Sequence, residues 1–334
     1  INVFLFKLYS MDLFEDFHKM IEQGLKKISN SDKPDSLYDP VKYILEIGGK
    51  RVRPFLALMS CHSFNCNPKK ALQAALSIEL FHNFTLLHDD IMDSAITRRG
   101  KKTVHEKWNI NTGILSGDVM LIMAYQLLES YDSQVYYKLN KLLNQTAKQV
   151  CEGQQMDMDF ESKSNIKFEE YVQMIEYKTA VLLACSLKMG AIIADASEKD
   201  QNHMYRFGIN LGLAFQFQDD YLDTFGSQKK VGKKIGGDIL ENKKTVLFHA
   251  ALLNSNKFQK TQLINLFNNK QLSSKEKIDK VTSLYVDTNA DKSSLKLVDS
   301  YTNKAIESIN QLSFEKKIKN NFIIFSKKLM NREL

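Results

Sequence analysis

The sequence predicts an all-α protein, and three observations carry that prediction. Only four prolines and fourteen glycines punctuate 334 residues, too few for the turn-rich texture of a sheet protein. Lys and Leu are the commonest residues, both good helix formers. Apolar residues recur at helical spacing over four long stretches, with no longer internal repeat.

The first stretch, Ala71 to Asp93, is apolar almost all the way round, the mark of a helix buried in a large protein. Ile114 to Tyr131 reads the same way, as do Thr179 to Ala194 and Met204 to Asp223. Connections are short except Ser94–Gly113 and the Gly- and Lys-rich Thr224–Thr245, and each of these follows directly on an aspartate cluster. From Lys257 onward the chain turns more polar, as amphipathic outer helices do. The expectation is a single all-α domain over residues 1–334, with core helices ringed by amphipathic ones. The chain opens on Ile1, and Met11 is read as a candidate start, so residues 1–10 carry no weight.

Composition narrows the function. The chain is 43% hydrophobic and 25% charged, which is globular. Its formal net charge of +7 comes from scattered lysines; without a basic stripe interleaved with aromatics, no nucleic-acid partner is expected. The four cysteines form no CxxC pair or zinc spacing, which points to buried free thiols in a reducing cytoplasm. The longest apolar run, Thr179 to Ala194, is interrupted by Lys188 and falls short of a membrane span. "INVFLF" at the start lacks the basic region and cleavage site of a signal peptide.

The chemistry lies in the aspartates. "DDIMD" (Asp89, Asp90, Asp93) and "DDYLD" (Asp219, Asp220, Asp223) share one spacing. In a helix, Asp89 and Asp93 lie one turn apart on one face, and so do Asp219 and Asp223. Like charges at that spacing cost a helix a few tenths of a kcal/mol, roughly. One such cluster is ordinarily a solvated helix end. Two, each ending a buried apolar helix, suit Mg²⁺ shared with substrate phosphates. Cations accompany them: Arg98 and Arg99 after the first cluster, Lys229, Lys230, Lys233 and Lys234 after the second, and "GGKRVRP" (Gly48 to Pro54) upstream. Diphosphate, gripped by arginine forks and metal, fits that balance. Deep apolar helices add a greasy tail to the ligand.

These residues resemble the trans-isoprenyl diphosphate synthases, the all-α enzymes that make farnesyl, geranylgeranyl and longer polyprenyl diphosphates. The resemblance rests on "GGKRVRP", "HNFTLLHDDIMDSAITRRG", "GDVML", "EGQQMDMDF", "EYKTA", "FQFQDDYLD" and "GGDILENKKT", in order from about Tyr38 to Asn331. It implies the isoprenoid synthase fold, a homodimer, and condensation of isopentenyl diphosphate with an allylic diphosphate. It implies Mg²⁺, three ions per site with Mn²⁺ as a substitute, on Asp89, Asp90, Asp93, Asp219, Asp220 and Asp223. Arg98 matches the arginine on the allylic diphosphate, and Lys50, Arg53, His82 and Arg99 match the site for isopentenyl diphosphate. Lys178, Thr179, Gln216 and Lys233 match groups around the allylic diphosphate and the developing cation. Gln154 and Asp157 match a pair lining the same site, and Lys243 falls in a lid over the diphosphates. His88, next to the cluster, is read either as structural or as a support behind the metal-binding aspartates.

Product length is read from the residues before the first cluster. Thr85 lies one turn from Asp89 on nearly the same face, and Phe84 lies five residues before it, about 7 Å deeper. Phe81 is one turn below Phe84. An aromatic Phe84 beside a small Thr85 resembles enzymes that stop at C15 to C20; a longer-chain synthase is the alternative within the family. Other classes compete on single features. A metal phosphohydrolase would use His88–Asp89 with His62 and His82, a terpene cyclase would lack the full second cluster, and a non-catalytic subunit would have lost one.

Overall fold

A computed structural model of the chain describes residues 11–28, 33–163, 165–226, 235–269 and 271–330. Its long helices are α1 Met11–Ile28, α2 Asp35–Glu46, α3 Val52–Ser63, α4 Leu72–Met92, α5 Ile110–Gln126, α6 Ser133–Ser162 and α7 Phe168–Ile175. They continue as α8 Val181–Ile193, α9 Glu198–Phe225, α10 Val246–Asn254, α11 Lys257–Asn268, α12 Ser274–Asp287, α13 Ala290–Asn310 and α14 Lys316–Met330. The strands among the described residues are Thr97–Arg98 and Lys101–Lys102, an antiparallel pair inside the long connection after α4. No described helix is long and apolar enough to cross a membrane.

The chain divides into two compact units. The first takes the described residues up to Gln145, with Leu182–Tyr205 and Ser313–Asn321. Its centre is α4, packed against α1, α3 and α5, which is why Ala74, Ala75, Ile78, Leu80 and Phe81 on several of its faces are all fully buried. The all-round apolar reading of this stretch therefore holds. Polar residues on the buried faces find backbone acceptors: Ser77 donates to the Ala124 carbonyl at 2.6 Å and Ser60 to that of Leu187 at 2.7 Å.

The second unit holds Thr146–Val181, Arg206–Leu312 and the described residues from Phe322. Tyr221, Leu222, Leu247, Phe248, Phe267, Val281, Leu284 and Tyr285 form its core. The polar C-terminal stretch makes helices with one buried face, and two of them open on capping boxes, Asn256 with Gln259 and Ser273 with Glu276.

Boundaries differ where local chemistry overrides periodicity. α5 begins at Ile110 because the Asn109 side chain accepts from the Thr112 N–H at 2.9 Å, and a 3₁₀ turn follows at Leu127–Ser130. Before α8, Glu176–Ala180 is a π-turn. The thiols also depart from expectation: Cys61 and Cys185 are buried, Cys66 is half-buried, and Cys151 is exposed on α6.

Candidate active site

In the first unit, "GGKRVRP" forms the entry to α3. Arg51 adopts a left-handed conformation at φ 47°, and its guanidinium is consumed internally. It pairs with Glu79 at 2.7 Å and Glu22 at 2.9 Å and donates to the Leu45 carbonyl at 2.7 Å. Arg53 behaves differently. Its Nη1 lies 3.1 Å from His82 Nε2, and its buried Nε has no hydrogen-bond partner among the described residues. Burial, with the charges of Arg53 and Arg99, holds His82 well below the usual histidine range, so the ring accepts from Arg53. Burial and the Arg99 charge also lower Arg53. Gly49 leaves room for Arg99, since a Cβ there would stand 2.8 Å from its Nη1. Arg53, His82 and Arg99 thus form a cationic group short of negative charge, and an anion meets that need. Lys50 is exposed at its edge of the loop.

At the end of α4 the aspartates divide. Asp90 is 3% exposed and receives Arg98 Nε at 2.9 and 2.8 Å on its two oxygens. Asp89, farther from that guanidinium at 3.4 Å, is half-buried, and Asp93 is exposed. Deeper along α4, the Phe84 and Phe81 rings meet at a tilt, 5.6 Å between centroids, and the Thr85 hydroxyl donates to the His82 carbonyl at 2.8 Å. The His88 ring lies edge-on to Phe84 at 4.8 Å, with Nε2 3.2 Å from the Ile114 carbonyl oxygen and 4.0 Å from Asp118.

The second unit contains a partly open cavity lined by Asp157, Lys178, Thr179, Gln216, Asp220, Asp238 and Lys243, with Phe160, Tyr171 and Met174 among its apolar walls. Lys178 pairs with Asp157 at 2.6 Å, and Gln154, one turn earlier on α6, is half-buried. The π-turn carries Lys178 and Thr179 and is gripped by glycines on both sides. A Cβ on Gly153 of α6 would stand 2.7 Å from the Tyr177 carbonyl carbon, and one on Gly212 of α9 would stand 2.6 Å from Ala180 Cα.

The second cluster also divides. Asp220, 5% exposed, accepts from Tyr171 Oη and, at 2.9 Å, from Gln216 Nε2. Asp223 accepts the Asp238 N–H at 3.0 Å. Burial and the charges of Asp220 and Asp223 push Asp238 up to about 7. Among the described residues no three acidic, histidine or cysteine side chains converge as a ready-made metal cage; Asp219 and Asp223, one turn apart and less buried than Asp220, are the oxygen donors that fit Mg²⁺ shared with a diphosphate. Lys243 pairs with Glu241 at 2.7 Å and lies 3.9 Å from Asp238. Lys233 lies outside the described residues.

Tyr171 and Asp238 were not among the expected site residues. Asp238 sits inside "GGDILENKKT", where an aspartate after two glycines was the available signal. Nothing in the sequence distinguishes Tyr171 from a core aromatic.

The polyprenyl synthetase family model matches residues 34–285. A short chain isoprenyl diphosphate synthase of Methanocaldococcus jannaschii is 39% identical over 274 residues, 81% of this chain and 83% of that protein. A geranylgeranyl diphosphate synthase of Saccharolobus solfataricus is 33% identical over 314 residues, 92% of this chain and 94% of that one. A crystal structure of a geranylgeranyl pyrophosphate synthase superposes with a TM-score of 0.92 at 47% identity, covering 96% of this chain and 99% of its own.

Proposed function

Given that the chain belongs to the polyprenyl synthetase family, we propose that it condenses isopentenyl diphosphate with an allylic diphosphate to give a C15 to C20 product. It is a short-chain trans-prenyltransferase with the all-α isoprenoid synthase fold. The observation that carries the residue assignment is the cavity of the second unit, where Lys178, Thr179 and Gln216 line one wall with Asp220 and Asp238.

Asp89 and Asp93 in the first unit would hold Mg²⁺, and so, separately, would Asp219 and Asp223 in the second. When bound, such ions would neutralise charge on a departing diphosphate. Arg53, His82 and Arg99 would receive isopentenyl diphosphate, the neutral His82 keeping the Arg53 guanidinium aimed. Lys178, oriented by Asp157, would hold the allylic diphosphate. The amide of Gln216 and the hydroxyl of Thr179 would face the cationic carbon. Lys243, half-exposed beside Glu241, would cover the diphosphates and keep water from the cation. A homodimer is part of the same reading, supported by Ile110, Ile114, Leu115 and Ile122, each more than 40% exposed along α5.

The metal phosphohydrolase reading fares poorly. His82 is committed to Arg53, His62 packs edge-on against Phe17 at 6.0 Å, and His88 faces a backbone carbonyl.

Incubation with Mg²⁺, isopentenyl diphosphate and each of the C5, C10 and C15 allylic diphosphates, followed by product sizing, tests the proposal. Products of C15 to C20 are expected. Asp89→Ala and Asp219→Ala should each lower the rate at least about a hundredfold while the protein stays folded, because each removes charge that stabilises the transition state. Unchanged turnover in either variant, or phosphate release from nucleotides without condensation, overturns it.

A further inference from the structure

Tyr171, Asp220 and Gln216 form a chain of hydrogen bonds, buried at Tyr171 and Asp220 and ending on the half-buried Gln216. Both oxygens of Asp220 are engaged by the protein: Tyr171 Oη donates to Oδ2, and Gln216 Nε2 donates to Oδ1 at 2.9 Å. Tyr171 is 2% exposed and held by its neighbours, stacked on Phe217 at 6.0 Å and tilted against His249 at 5.4 Å. Burial and the adjacent carboxylate keep its phenol well above the usual range, so it stays a donor.

The direction of this chain has a chemical consequence. Both Asp220 oxygens act as acceptors, one of Tyr171 Oη and the other of the Gln216 NH₂. The other end of that amide, Oε1, is turned away from the carboxylate, on a residue that lines the cavity together with Lys178 and Thr179. Without Asp220, the amide could present either end.

We propose that Tyr171 is a positioning residue for prenyl transfer: through Asp220 it fixes the Gln216 amide with its oxygen toward the carbon that becomes positive. The inference rests on the prenyl-transfer reading of the cavity. In that reaction the electron pair of the allylic C–O bond leaves with diphosphate, and positive charge spreads over the allylic carbons. The π electrons of isopentenyl diphosphate then form the new C–C bond, and a proton departs to the released diphosphate. Only the negative end of the amide dipole favours the cation. Asp220 accordingly serves orientation rather than metal binding, leaving the more exposed Asp219 and Asp223 for the ion.

Steady-state kinetics of Tyr171→Phe, Gln216→Ala and the double variant test this, with thermal unfolding measured alongside. Tyr171→Phe keeps the stacked ring and removes one hydroxyl. Its kcat should fall about tenfold or more, while both KM values and the Mg²⁺ half-saturation stay within about twofold. The double variant should be no slower than Gln216→Ala alone, because a residue acting through the amide has nothing to orient once the amide is gone. A wild-type kcat in Tyr171→Phe, single effects that multiply in the double variant, or a several-fold rise in Mg²⁺ requirement each overturn the proposal. If Tyr171→Phe does not fold, Asp220→Asn reads the same relay, because an amide there lets Gln216 face either way; the same split of kcat from KM is expected. Wild-type enzyme that forms no condensation product would instead remove the prenyl-transfer reading itself.

Discussion

Asp90 and Asp220 hold the same place in their two clusters, and both are buried acceptors: one of Arg98, the other of Tyr171 and Gln216. At about 100° per residue, the second aspartate of each set points off the face shared by the first and last. The shared face was legible in the spacing. Which carboxylate is already occupied was not, because Tyr171 lies 49 residues from Asp220 in the chain and no local pattern links them. The arginines diverge in a testable way. Arg53→Ala should raise KM for isopentenyl diphosphate more than for the allylic partner, and Arg98→Ala the reverse. Only Arg98→Ala should also destabilise the fold, by on the order of 3 kcal/mol, since it strips Asp90 of its buried partner; equal KM effects would show the division of the two diphosphates to be wrong. His249 supplies a pH dependence. Burial lowers it to about 4, whereas the unfolded chain takes up that proton near 6.5. Its contribution is therefore unchanged above pH 6.5 and turns unfavourable as pH falls toward 4, by at most about 3 kcal/mol. Urea unfolding at pH 7.5 and pH 5 should show a smaller acid loss in His249→Gln than in wild type.

The helices themselves were largely readable. α4 announces itself through burial on every face, and α9 through the same texture before the second cluster. The π-turn at Glu176–Ala180 was not readable, since hydrophobic periodicity assumes a constant 3.6 residues per turn and averages over one widened turn. The short hairpin in the Ser94–Gly113 connection was equally silent, because two-residue strands carry no period. α4 also supports the product-length argument. Phe84 is 9% exposed and lies between a tilted Phe81 and an edge-on His88, so its ring is held from both sides along the helix. Phe84→Ala should lengthen the main product and cost up to about 3–5 kcal/mol of stability. Product sizing beside a melting curve checks both, and a folded variant with the wild-type spectrum would leave product length without a determinant at this position.

At the scale of the molecule, the all-α class followed from sparse Gly and Pro together with apolar residues at helical spacing. The chain's organisation into units was less legible, because the first takes segments from three separate stretches of sequence and no linker composition marks where they change. In the second unit, Gly153 and Gly212 close on the turn that carries Lys178 and Thr179. That contact is between backbones, which have no rotamers to relax. Gly153→Ala should therefore destabilise the protein, although alanine is the better helix former by about 1 kcal/mol; a higher melting temperature would contradict this. The grip also sets a timescale. A segment wedged between two helices cannot open by itself, so the amides of residues 178–180 should exchange with deuterium only when the whole molecule unfolds, at the free energy of global opening. The groups assigned to meet a short-lived cation would then be among the slowest-moving parts of the protein.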